Sequence, residues 1–162
     1  MMEFIRYQSV VPNRHGNWPG VFALANGLAA DGALSAQDFG WLRATNALAN
    51  ELYADPTTVE PECYDRDKNP GARSWFKSSA KELITMTRQY LKLLDRHEIG
   101  WVELRTTAPG RVTYEDAVQV VAVPHTHAAH WPFARTRPIT HEAAAGDRTQ
   151  TPPGREEWIG DN

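Results

Sequence analysis

A chain of 162 residues, 41% hydrophobic and with a formal net charge of -3, has room for one folded domain and lacks the basic excess that holds nucleic acid in bulk. Its single cysteine, Cys63, excludes an internal disulfide and suits a reducing compartment. No apolar run approaches the ~20 residues that cross a bilayer, and the start MMEFIRYQSV has no signal-peptide core, so a cytoplasmic location with no membrane contact is expected.

Glu3 to Val11 reads as a strand, with apolar residues on both faces; in a strand covered on two sides, Arg6 and Gln8 need partners. Pro19 is placed for the first position of a helix whose stripe is Val21, Leu24, Ala25 and Leu28, stopped by Asp31-Gly32. Ser35 and Asp38 stand in capping-box order ahead of a second helix with Trp41, Thr45, Leu48 and Leu52 at helical spacing. Asp55-Pro56 ends it, and a polar loop of about fifteen residues follows. From Asn69-Pro70-Gly71 the recurrence of Phe76, Ala80, Leu83, Ile84, Thr87, Leu91 and Leu94 predicts the longest helix, with Arg96 and His97 in its last turn and Gly100 beyond.

Trp101 to Thr106 is then a strand, Ala108-Pro109-Gly110 a turn, and Arg111 onward a strand again, which predicts a β-hairpin. Within the second strand Asp116 falls among Val112, Tyr114, Val118, Val120 and Ala122. Either it points into the core with a partner or a bulge at Glu115-Asp116 resets the register. The run VQVVAV, apolar on both faces, predicts a central strand.

These elements predict an α+β fold: a small antiparallel sheet of about three strands with three helices packed against it. At Pro124 the composition breaks, because the last 38 residues carry almost no aliphatic side chains. The expected organisation is a single α+β domain over residues 1–124 and an extended C-terminal arm of low hydrophobicity over 125–162.

Several constellations can carry chemistry. The arm opens PHTHAAHWPF, and His125, His127 and His130 are spaced for chelation, with His141 further on. No cysteine accompanies them, so they are weak candidates; neither a metal nor a cofactor is expected. Cys63, in the polar loop, reads as an ordinary half-buried thiol. Asn69-Pro70-Gly71 precedes a predicted helix whose amides could hold an anion, although a plain turn accounts for it. Trp41, Trp75 and Trp101 fall in periodic segments and read as core or core-edge residues. Trp18 precedes a helix. Trp131, Phe133 and Trp158 are aromatics in a polar tail, the pattern of anchors for a protein partner or a second copy of the chain.

The leading expectation is therefore a binding or accessory module that engages a partner, or itself, through its arm. The alternative is an enzyme acting on a nucleotide-like or anionic small substrate, with Arg6, Tyr7, Glu115 and Asp116 as catalytic candidates. Arg6 and Gln8 on the first strand and Glu115, Asp116 and Gln119 on the last converge if those strands are neighbours. An arginine on an early strand and a glutamate on a late one resembles ADP-ribosyltransferases, and the resemblance implies that the arginine binds a dinucleotide and the glutamate orients its ribose. The middle motif of that family is not evident. A plain Arg6–Asp116 salt bridge is the simpler account. Finally, the stretches RYQSVVPNRHG, GVFALANGLAADGALS, NPGARSWFK and PGRVTYEDAVQVVAVP together resemble an uncharacterised family of small bacterial proteins. The resemblance covers about residues 2–124; it implies that they form one unit and assigns no functional residue.

Overall fold

The computed structural model describes residues 1–125 and the backbone of Ile139–His141. In chain order the elements are β1 (Phe4–Ser9), α1 (Val21–Ala30), α2 (Ala36–Leu52), α3 (Pro56–Val59), β2 (Arg73–Lys77), α4 (Lys81–Arg96), β3 (Trp101–Thr106), β4 (Arg111–Glu115), β5 (Gln119–Val123) and β6 (Ile139–His141). The α+β class is as expected, with three helices of ten residues or more and the single turn of α3. The sheet is larger than the three strands anticipated: residues 1–125 supply five, and β6 adds a sixth beside β3. Its order is β4-β5-β2-β1-β3-β6, antiparallel throughout.

The extra strands come from two segments read differently in the sequence. Phe76 and Ala80 share the helical spacing of the residues after them, yet Arg73–Lys77 is the strand β2 and the helix begins only at Lys81. At 16 residues α4 is one shorter than α2, which is the longest helix. The predicted last strand is two strands, β4 and β5, paired as a hairpin. Asp116 neither enters the core nor marks a bulge: its carboxylate accepts from the backbone N–H of Val118 and Gln119 at 2.8 and 2.9 Å and closes the turn. The irregularity in register lies instead between Val112 and Tyr114. As expected of an apolar run, β5 is buried along its whole length between β4 and β2.

Local chemistry sets the helix starts. Ser35 caps α2, its Oγ accepting from Asp38 N at 3.1 Å, a contact of about 1 kcal/mol. α1 begins at Val21 with Gly20 as its N-cap, so Pro19, expected at the first helical position, lies ahead of the helix; its carbonyl accepts from Ser9 N at 2.8 Å and ties the β1–α1 connection back to the strand. Asp55 caps α3 inside the segment expected to be loop. In α2 the buried positions are Leu42, Asn46 and Ala49, one residue round from the predicted stripe, and Leu48 and Leu52 face outward. Asn46 is held there by a chain across three helices: Tyr90 Oη donates to Asn46 Oδ1 at 2.7 Å, and Asn46 Nδ2 to Asn26 Oδ1 at 2.8 Å.

The hairpin expected between β3 and β4 does not form; β3 pairs with β1, and β4 lies at the far edge beyond β5 and β2. Only Thr107–Gly110 joins them. Four inter-strand spacings of a flat sheet come to about 19 Å, whereas five backbone steps reach at most about 18 Å even without the shift along the strands. The sheet is therefore curled, so that its two flanks face each other across its helix-free side. Trp75 of β2, Val102 and Leu104 of β3 and Val120 of β5 accordingly meet in one buried cluster. The other side carries the main core, where Ile5, Tyr7, Phe76 and Trp101 pack against α1, α2 and α4. The core assignments of Trp75 and Trp101 hold, and Trp41 lies at the edge of that core with its ring 5.3 Å from Tyr90.

Candidate functional site

The shortest pairing in the sheet is that of β1 with β2. Only Phe4↔Lys77 and Ile5↔Phe76 pair there. Continuing that register would set Arg6, Tyr7 and Gln8 against Trp75, Ser74 and Arg73, but the strands diverge and a side chain fills the wedge. Arg6 alternates with Tyr7 and so points to the helix-free side, where its NH1 donates to the Ser74 carbonyl of β2 at 3.1 Å. Its NH2 donates to the Trp18 carbonyl at 2.9 Å and its Nε to Gln8 Oε1 at 2.7 Å. Gln8, two residues along the same face, also accepts from Arg73 NH1 at 3.4 Å. The Arg73 guanidinium lies 5.6 Å from the centre of the Trp18 ring, which the β1–α1 connection brings over the wedge.

This set is donor-rich and positive. Arg6 is only 4% exposed, and its three hydrogen-bond acceptors are all neutral. Among the described residues no carboxylate lies within ion-pairing distance of it. Burial, then the neighbouring charge of Arg73, pushes its guanidinium down to about 9; burial pushes Arg73 down to about 10. Both stay charged near neutrality. Gln8 Nε2 and Trp18 Nε1 are buried N–H donors with no acceptor. The wedge thus offers charge and directed hydrogens together, the inverse of a metal site, and its chemistry is the binding of an anion.

The other sequence candidates are not gathered here. Tyr7 faces the helices, hydrogen-bonded to Glu103 and pushed up to about 12 chiefly by burial. Its ring packs edge-on to Trp101 at 5.9 Å. Glu115 pairs with Lys77 at 2.7 Å, on the edge strand. Asp116 accepts from Tyr114 Oη at 2.8 Å as well as closing its turn, so the Arg6–Asp116 salt bridge does not form. Gln119 donates to the Ala54 carbonyl at 3.0 Å. β2 separates β1 from β5, so the convergence that depended on neighbouring strands does not occur. Cys63 is fully buried rather than half-buried, packed with Tyr114 and Val121. Asn69-Pro70-Gly71 leads into β2, so it offers no helix terminus to an anion.

His125 is exposed at the end of the described segment, and no group that could hold a metal ion occurs among the described residues. His127, His130, Trp131, Phe133 and Trp158 lie outside them. Arg6 and Gln8 were marked by the sequence as polar residues in a strand apolar on both faces. Arg73 escaped because its segment was read as the approach to a helix, which hid its place two residues from the buried Trp75. No known protein family, curated protein or solved structure matches this chain. No helix of the described residues is long and apolar enough to cross a membrane.

Proposed function

We propose that this domain binds a small anionic molecule in the wedge between β1 and β2, with Arg6, Gln8, Arg73 and Trp18 as the binding set. One observation carries the reading: Arg6 is buried against neutral partners only, beside Gln8 Nε2, a buried donor with no acceptor. Burying a charge costs several kcal/mol, in a fold whose total stability is of order 10 kcal/mol. The Ser74 carbonyl needs no guanidinium; two more β1–β2 pairs would satisfy it without burying charge. A split sheet plugged by an arginine is a poor structural solution and a good anion receptor. The reading keeps an enzyme on a nucleotide-like or anionic substrate in view, with Arg6 as a binding group.

Differential scanning fluorimetry of the full chain tests it, with chloride, acetate, sulfate and phosphate compared at fixed ionic strength. At least one polyatomic anion should raise the melting temperature above chloride; at a hundredfold excess over Kd the gain is about 2.7 kcal/mol. Gln8→Glu, which places a carboxylate against both arginines, should abolish the response. No anion-specific shift, or an equal shift in the variant, overturns the reading.

A second reading concerns the arm. β6 pairs with β3 through Trp101↔His141, Val102↔Thr140 and Glu103↔Ile139, so the chain beyond Pro124 returns to its own sheet edge. This supports engagement of the domain itself or a second copy through Trp131, Phe133 and Trp158. A chain ending at Pro124 should then lose self-association or partner capture seen with the full chain in pull-downs; retention of every interaction removes the arm from the account.

A further inference from the structure

α2 carries an apolar flank that its packing leaves uncovered. Trp41, Thr45, Leu48 and Leu52 recur at helical spacing, one residue round from the buried Leu42, Asn46 and Ala49. Trp41 is half-buried, but Leu48 and Leu52 are 46% and 58% exposed. The flank looks toward α4. Asp38 in the first turn of α2 pairs with Arg96 at 3.0 Å and lies 3.7 Å from His97 Nε2, and the Trp41 ring is 5.3 Å from Tyr90. Tyr53, just past the end of α2, is near enough to Glu82 for that charge to add to burial in pushing its phenol up. The two helices therefore run antiparallel, with Leu48 and Leu52 toward the start of α4. Lys81, Arg88 and Lys92 are exposed on that stretch of α4 and in no ion pair among the described residues, against one acid, Glu82.

The course of the chain says what covers this flank. β6 ends at His141 opposite Trp101, whose Nε1 donates to Asp95 in the last turn of α4 at 2.8 Å. The chain thus leaves the sheet beside the end of α4 that meets Asp38. Residues 142–162 follow, and in them Glu156 and Glu157 stand directly before Trp158 and Ile159, two acids beside two large apolar side chains. The backbone from His141 to Trp158 spans at most about 60 Å, whereas Leu52 lies about 21 Å along α2 from Asp38. Reach is ample. A tether also holds the segment at an effective concentration on the order of millimolar, which a dilute second copy of the chain does not match.

Resting on the reading that the arm engages its own domain, we infer that residues 156–159 dock on this flank of α2 within the same molecule. Trp158 and Ile159 cover Leu48 and Leu52, and Glu156 and Glu157 face the bases of α4.

Disulfide trapping in the full chain tests it. Gly160→Cys places a thiol two residues beyond Trp158 and leaves the docking side chains in place. It is combined either with Leu52→Cys, on the flank, or with Asn50→Cys, exposed on the opposite side of α2. Cys63 is buried and does not compete. Under mild diamide oxidation the Leu52→Cys pair should close within the monomer at least tenfold faster than the Asn50→Cys pair, read on non-reducing gels. Adding Trp158→Ala should erase the difference. Equal rates in the two pairs overturn the docking; an arm that still captures a partner in the pull-downs then keeps its reading and loses this site. A preference for Leu52→Cys seen only in disulfide-linked dimers also overturns the proposal, and makes a second copy the occupant.

Discussion

Replacing Gly110 with alanine is expected to destabilise the protein by about 3 kcal/mol or more, a large effect for the addition of one methyl group. Gly110 sits at φ +134° where the connection from β3 enters β4, and an added Cβ would lie 1.9 Å from the Val123 carbonyl oxygen and 2.6 Å from its carbon. Those are backbone atoms of the strand paired with β4, at the Arg111↔Val123 end of the ladder, so they cannot rotate away as a side chain would. Relief requires moving the strand or the connection. The connection has no slack, because four residues already carry the chain across the curled sheet and Pro109 among them is buried. Gly32 is the control. It also has positive φ, +69°, but nothing lies within 4 Å of its would-be Cβ, so Gly32→Ala should cost only the backbone strain of about 1 kcal/mol. Urea unfolding of the two variants checks the contrast; equal and small losses would show that the connection can give, and with it the curl.

Gln8→Glu is expected to act in the opposite direction on the free protein, raising its stability by about 1 to 3 kcal/mol. The amide oxygen it replaces accepts from Arg6 Nε at 2.7 Å and Arg73 NH1 at 3.4 Å, so a carboxylate there gains two charge-assisted bonds without moving the chain. It also removes the Nε2 hydrogens that have no acceptor. The pH dependence follows from the sign of the effect. Two adjacent guanidinium groups hold the new carboxyl below its unfolded value of about 4.3, so the gain is fully present above that pH and is lost as pH falls through the folded value. Gln8→Met removes the acceptor instead and should be destabilising. Thermal melts of the three proteins between pH 3 and pH 8 make the comparison. A Gln8→Glu protein less stable than the wild type at pH 7 would mean that the two positive charges are already compensated, which removes the reason for an anion site.

Much of the fold was legible, for identifiable reasons. β1 and β3 announce themselves by β-prone residues between turn signals, and Ser35 caps α2 as its hydroxyl and the following Asp38 predict. What failed was short or non-local. β2 has five residues, too few for alternation to outweigh the four-residue spacing of Phe76, Ala80 and Ile84 that runs into α4. The β4–β5 turn contains no glycine, proline or asparagine; Asp116 builds it with one carboxylate, which makes two strands look like one. The pairing of β3 with β1 rather than β4 is a tertiary outcome, since sequence adjacency favours the hairpin and only the covered inner side of the curled sheet repays the crossing. For the site, polarity inside an apolar strand was enough to single out Arg6 and Gln8. Their acceptor Ser74 and neighbour Arg73 belong to the strand that periodicity concealed.

The wedge between β1 and β2 also divides the molecule mechanically. β1, β3 and β6 form one half of the sheet and β2, β5 and β4 the other, stitched between β1 and β2 by two residue pairs and by the guanidinium contacts of Arg6 to Ser74 and Arg73 to Gln8. A load applied between Phe4 and Val123 therefore pulls on a short seam and not on a full ladder. A group seated in that seam, bonded to both halves, would act as a rivet.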